Sequence, residues 1–305
     1  MRNIIVQEPF RALFYAPYYA AIAREAYAAE GVDVRVLPGE VPSLAKDSVL
    51  SGAAHLAWGG PMRILLAHDA DATCPLRNFG AVVLGDPFLL VGREPRPGFS
   101  LKDLAHLTLG TVAEVPTPWW ALQEDVRQAG VDPTRVKRVT DQSMGENAAA
   151  VAAGTLDVAQ LFEPLVSQME MAGTGHVWHA CAARGPTSYT TFYSTAENIA
   201  GFAPEFMAMI RGIAATQRWF HAASAEEVTD CIKSFFPNLD AAVMARAITR
   251  YKGLGIWTQT PNFPPEPFNR LETHMLSAGA IQRAPGYTAC VDENITRRAL
   301  GLSLG

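Results

Sequence analysis

The sequence predicts an α/β protein, a largely parallel sheet covered by helices, written in two successive runs that periodicity alone would also permit to be two sequential domains. Three observations carry that prediction. Short apolar strands alternate with helical stretches, the order that builds parallel sheets covered by helices. A proline- and glycine-rich break, EPRPG at 94–98, separates two such runs, and the pattern begins anew after it. The chain has 305 residues, enough for two bodies of about 100–200 residues each or for one large one.

The first run opens with the short apolar strand NIIVQ (3–7) and a loop, PFRALFYAP. Pro17 fits a first helical turn, where its missing N–H costs nothing, and the helix is expected to run through Tyr27 and stop before Gly31. VDVRVL then alternates, placing Val32, Val34 and Val36 on one face of a strand. A crossover from about Ser43 to Leu50 leads to AAHLAW (53–58), after which Gly59, Gly60 and Pro61 open another helix. AVVLGDPFLLVG (81–92) is extended chain interrupted at Gly85-Asp86-Pro87.

In the second run LTLGT (107–111) is a strand, Pro118 to Ala129 a helix and VKRVT (136–140) a strand. Asn147 to Ala153 is a helix, and the strand LDVAQLF (156–162) meets Glu163-Pro164 and a further helix. TSYTTFYS (187–194), rich in threonine and aromatics, is again a strand. The remainder reads as helices over Pro204–Ala222, Ala225–Phe235, Asp240–Tyr251 and Pro267–Ala278.

Composition excludes several classes. A net charge of −5 with 18% charged residues gives no support to nucleic-acid binding, which favours basic patches. MRNIIVQEPF lacks the apolar region of about 7–15 residues that a secretory leader needs. No uncharged segment reaches the roughly 20 apolar residues of a membrane span. The four cysteines, at 74, 181, 231 and 290, form no CxxC, so an even count permits disulfides without predicting them. HVWHAC places His179 and Cys181 on one side of an extended chain and His176 on the other, with no second ligand pair at zinc spacing. No G-x-G-x-x-G opens a βαβ unit and no phosphate loop is present, so no cofactor is expected. No catalytic constellation can be named.

Several phrases, taken in order, resemble one family. YAPYYAAIAREAYAAEGVDVRVLPG, SVLSGAAHLAWGGP, LKDLAHLTLGT, ENAAAVAAGTLDVAQLFEP and YTACVDENITRRA resemble the NMT1/THI5-like group of type II periplasmic solute-binding proteins. The resemblance covers most of the chain. It implies a two-lobed type II periplasmic-binding-protein fold, each lobe a mixed, mostly parallel sheet flanked by helices, with a hinge of two crossing segments: residues 1–92 and 184–305 form lobe 1, residues 93–183 form lobe 2, and the ligand cleft lies between them. It further implies a monomer that closes on a small molecule for an ABC permease, outside the cytoplasm if a leader has been removed and inside otherwise. The alternative is a cytoplasmic enzyme or ligand sensor on the same scaffold, acting on a pyrimidine-like or aromatic acid compound. The cysteine-rich motif of the family's eukaryotic pyrimidine synthase is absent.

Carried over by position, the resemblance puts Tyr15, Tyr18, Trp58, Gly59, Thr117, Trp119, Glu163 and Tyr189 at the pocket. Thr117 and Pro118 suit the N-cap and first position of a helix, whose free amides can receive an anionic group. Of two adjacent tryptophans, which point about 100° apart, Trp119 is assigned to the cleft and Trp120 to packing. Indole and phenol rings favour an aromatic or heteroaromatic solute, since ring pairs add about 0.5–1.5 kcal/mol beyond area. Arg11 and Arg63 are the candidates for an anionic tail, a planar carboxylate matching the guanidinium fork. Glu163 either accepts from a ligand N–H or caps local backbone amides.

Overall fold

The computed structural model describes residues 2–39 and 44–303. Its strands, in chain order, are β1 (Arg2–Gln7), β2 (Val32–Leu37), β3 (Leu56–Gly59), β4 (Leu76–Val83), β5 (Leu89–Gly92), β6 (Thr108–Gly110), β7 (Lys137–Val139), β8 (Val158–Leu161), β9 (His176–Ala180) and β10 (Thr190–Thr195). They form two five-stranded sheets, ordered β2-β1-β3-β10-β4 and β7-β6-β8-β5-β9.

The two sheets follow one plan. β2, β1 and β3 run parallel, as do β7, β6 and β8. The fourth strand of each sheet, β10 or β5, is antiparallel to both neighbours. That odd strand is in each case the one by which the chain enters from the other lobe. In each sheet it therefore runs against its neighbours, whether it comes first in its sheet, as β5 does, or after the rest, as β10 does.

Strand pairing moves the first crossing. With β5 in the second sheet, lobe 2 takes in Leu89–Gly92, and the crossing lies between Val83 and Leu89 rather than after Gly92. The reason is visible at Gly85-Asp86-Pro87, which breaks the ladder between β4 and β5. Gly85 is a requirement of packing there, since a Cβ would lie 2.8 Å from the Cα of Ile256. The chain returns between Ala180 and Thr190.

Each sheet is buried on both faces, as the near-continuous apolar strands require. Alternation sends Trp58, Phe79 and Phe192 to one side of the first sheet and Ala57, Ala81 and Tyr193 to the other. In the second sheet Leu89, Val91 and Leu161 face one layer while Leu90, Leu109 and Val158 face its opposite.

The expected helix from Pro17 through Tyr27 is two pieces, Ala16–Ala23 and Ala26–Ala29, because Glu25 takes a left-handed conformation between them (φ 55°). Ser43, where a crossover was expected to begin, is outside the described residues, and helix Leu44–Leu50 is its described part. Ala225–Phe235 ends as helix at Ile232 and continues as a tighter turn. Two late helices bridge the lobes. Ala241–Leu254 packs against Leu165–Met171, and Pro265–Ser277 packs against Thr117–Gln128. No helix among the described residues is long and apolar enough to cross a membrane.

Candidate functional site

Strand ends and crossings converge on one partly open cavity. The loop after β1 contributes Phe10, Phe14 and Tyr15, and the turn after β3 contributes Gly60, Met62 and Arg63. From the second lobe come Val115, Thr117, Pro118 and Phe162. The crossings themselves supply Phe88 on one side and Ser188 and Tyr189 on the other. The space is small, with about 50 Å³ open to the centres of water-sized molecules.

The walls are aromatic and meet edge to face. Phe162, at the end of β8, sits 5.3 Å from the ring of Phe14 at 88° and 5.3 Å from that of Phe88 at 83°. One second-lobe ring is thereby wedged between two rings from the first lobe and the crossing, a geometry that favours the positive ring edge over a negative face. Phe10, Phe14 and Tyr15 cluster within 6.0 Å of one another, and Phe14 to Tyr15 spans 4.4 Å.

Polar groups are few and mostly donors. Burial pushes the Tyr15 phenol far above its ordinary range, with Arg63 opposing, so the hydroxyl stays neutral. Tyr189 is likewise held neutral by burial, and its hydroxyl donates to Asp86 across 2.6 Å. The Ser188 hydroxyl is buried with no protein partner. Among the described residues Arg63 forms no ion pair. The lining holds no histidine, cysteine, aspartate or glutamate.

Of the ten residues named from sequence for the pocket and its anionic tail, Tyr15, Arg63, Thr117 and Tyr189 line this cavity. Tyr18 and Trp58 lie one layer behind it. Their rings stack at 4.9 Å and 7°, both fully covered, with Tyr15 edging each from the cavity side. Leu13–Tyr15 forms a tight turn before the helix, and this brings Tyr15 forward while Tyr18 drops onto the sheet. Gly59 backs onto the Tyr193 ring, and it is Gly60 that reaches the cavity.

Two assignments, Trp119 and Arg11, require correction, and for Glu163 the second of its two readings holds. Trp119 does not face the cleft: Thr117 and Pro118 do, and the helix turns Trp119 into the second lobe's own apolar cluster, where Arg138 sits 4.2 Å above its ring. Trp120 packs across onto the first lobe's apolar cluster. Glu163 is fully buried away from the cavity, accepting from the Ser167 amide (2.9 Å) and hydroxyl (2.8 Å) and lying 2.9 Å from Arg250. It caps the helix that follows. Burial raises its carboxyl while Arg250 pulls it back. Arg11 is held by Glu8 at 2.9 Å and by the Phe235 carbonyl at 2.9 Å, and it borders an adjoining cavity instead.

The anion-receiving helix start is also altered. Pro116, not Thr117, is the cap, and its carbonyl takes the amides of both Trp119 and Trp120. Pro118 has none to give. His176, His179 and Cys181 gather no metal-binding group, and none of three or more ligands occurs among the described residues. All four cysteines are free. Burial raises the Cys181 thiol, which keeps it protonated. Missed from sequence were Phe10, Met62, Phe88, Phe162 and Ser188; Phe162 carried the same strand-end signal as Trp58.

Two sheets with reciprocal antiparallel strands, two crossings and a cavity between them define the type II periplasmic-binding-protein architecture. The chain belongs to the family described as NMT1/THI5 like, whose model matches residues 14–219. It is 26% identical over 300 residues to YtlA of Bacillus subtilis (strain 168), covering 98% of this chain and 90% of that protein. Its fold is similar to the periplasmic aliphatic sulphonate binding protein SsuA from Escherichia coli, with TM-score 0.77, 13% identity and coverage of 96% and 92%. It is similar as well to a mutant of the desulfurization enzyme DSZB in complex with biphenyl-2-sulfinic acid, with TM-score 0.70, 12% identity and coverage of 98% and 99%. At these identities the solved structures speak to the fold alone.

Proposed function

We propose that this chain is a solute-binding protein that closes its lobes around a small aromatic or heteroaromatic molecule and presents it to an ABC permease. One observation carries the reading: a single aromatic cavity takes its walls from both lobes and from both crossings. A ligand touching all of these is bound more tightly by the closed form than by any open one, and that differential affinity is what shifts the population. Work at the outer face of a membrane, beside the permease, belongs to the same reading. A sulphonate-binding protein and a sulfinic-acid complex on this scaffold support a ligand combining an apolar body with an oxyanion.

An enzyme on this scaffold is the competing reading, and the DSZB likeness keeps it in view. Against it stands a cavity lining with no acid, imidazole or thiol to act as base or nucleophile. Native mass spectrometry of freshly purified protein tests the proposal by detecting retained solute. A thermal-shift screen over pyrimidines, aromatic acids, sulfonates and nitrate follows. A protein that retains nothing and is stabilised by none of these is not such a receptor.

A further inference from the structure

We infer that four charged side chains outside the cavity form a clasp between the lobes: Glu163 and Glu170 from the second, Arg246 and Arg250 from the first. The clasp sets how readily the lobes part. It rests on the solute-binding reading above only for its consequence, the regulation of solute affinity.

The clasp lies along the seam where helix Ala241–Leu254 of the first lobe meets helix Leu165–Met171 of the second. Arg246 reaches one oxygen of Glu170 through two nitrogens, at 2.7 and 3.2 Å. Arg250 is shared, lying 2.9 Å from Glu163 and also in contact with Glu170. Among the described residues these four groups form ion pairs only with one another.

Each half repels itself. Arg246 and Arg250 stand four residues apart on one helix, a spacing at which like charges destabilise. Glu163 and Glu170 crowd the same guanidinium. Burial raises the Glu163 carboxyl, Arg250 pulls it back, and Glu170 adds to the rise. Neither lobe satisfies its own pair. Contact between the lobes sets attractions against both repulsions, so these charges serve the seam rather than the folding of either body.

The seam is tied to the cavity. Phe162, wedged between Phe14 and Phe88, immediately precedes Glu163. Tyr251, next to Arg250, accepts the Glu163 amide on its hydroxyl at 2.9 Å and donates to the Pro87 carbonyl of the first crossing at 3.2 Å. Helix Ala241–Leu254 also packs on the Leu13–Tyr15 turn, which carries two of the cavity's rings. Parting the clasp therefore draws Phe162 away from Phe14 and opens the aromatic wall. A solute that binds the closed form then loses affinity by the factor by which that form is depopulated.

Hydrogen exchange of the solute-free protein, followed residue by residue by NMR, tests this. The Glu163 amide donates across the seam, whereas the amides of β8 belong to ladders within the second sheet. Arg246→Glu turns an attraction into a repulsion at an exposed position. Exchange at Glu163 is expected to quicken about tenfold, with β8 unchanged. Adding Glu170→Lys restores opposite charges and should bring the rate back to within about threefold of wild type. Equal acceleration at Glu163 and throughout β8 makes the cluster a plain contributor to fold stability and overturns the inference. So does an unchanged Glu163 rate in Arg246→Glu, or no recovery in the double variant. No solute enters the measurement, so retained solute in native mass spectrometry still decides the receptor reading separately.

Discussion

The hydroxyl of Tyr189 donates to the carboxylate of Asp86 across 2.6 Å, joining the two chain crossings at the floor of the cavity. Asp86 is fully buried and also receives Arg184 and the Phe88 amide, the latter at 2.8 Å. Arg184 in turn grips Asp125 of the second lobe through two nitrogens and takes Arg270 on its own carbonyl. One connected set of polar contacts thus spans crossing, crossing and both lobes, with the ring of Tyr189 as its cavity face.

Tyr189→Phe keeps the ring and removes one donor from a buried carboxylate. Unfolding free energy should fall by about 1–3 kcal/mol, since the hydrogen bond is to a charged group. Urea denaturation measures it, and an unchanged midpoint would sever Tyr189 from the network.

Arg184→Met should be far costlier. Its side chain is 5% exposed and is shared by two carboxylates, so deletion leaves buried Asp86 without its ion-pair partner and Asp125 with Arg270 alone nearby. Breaking a buried pair in this way costs about 3–5 kcal/mol. Thermal unfolding that shifts no more than a surface control contradicts the arrangement.

Trp119→Ala and Tyr15→Ala should separate folding from binding. Trp119 packs in the second lobe away from the cavity, so its loss should lower stability by about 2–4 kcal/mol and leave affinity for any captured solute within a few fold. Tyr15→Ala should weaken that affinity at least tenfold. Calorimetry paired with thermal unfolding of both variants reads the difference, and reversed effects would return Trp119 to the site.

Acid should destabilise the fold through His274. Burial, reinforced by Arg184, pushes this imidazole down to about 4 from an ordinary 6.5. Between those values the unfolded chain binds the proton and the folded one does not. The contribution is whole above pH 6.5 and shrinks as pH falls towards 4, on the order of 1 kcal/mol per pH unit. His274→Gln should flatten the slope of unfolding free energy between pH 6.5 and 4.5; an identical slope would show that other groups carry it.

Period and punctuation made most of the fold readable. Alternating valines marked β2, and Gly85-Asp86-Pro87 was legible as an interruption, although the boundary between lobes was placed later, at EPRPG. What periodicity cannot show is which sheet a strand joins. Leu89–Gly92 reads the same whether it extends β4 or starts the second sheet, and only its pairing with Leu161 and His179 decides. The site was legible as a neighbourhood. Strand ends and helix starts were the right places, but facing depends on one residue of phase: a cap at Pro116 instead of Thr117 turned Trp119 inward, and a tight turn at Leu13–Tyr15 set Tyr18 behind Tyr15. Glu163 stands beside Phe162, yet extended chain sends neighbours to opposite sides, and its carboxylate meets Arg250, 87 residues on in sequence.

The central place of β10 in the first sheet has a consequence for the order of assembly. The second sheet is one uninterrupted stretch, Leu89 to Ala180, and all its strands exist together once that stretch has left the ribosome. The first sheet cannot close then, because β3 and β4 meet only through a strand that arrives afterwards. The earlier-made lobe must therefore wait with two strand edges open, exposed to the mispairing that long-range closure invites, until the later-made lobe is complete and the returning chain fills the gap.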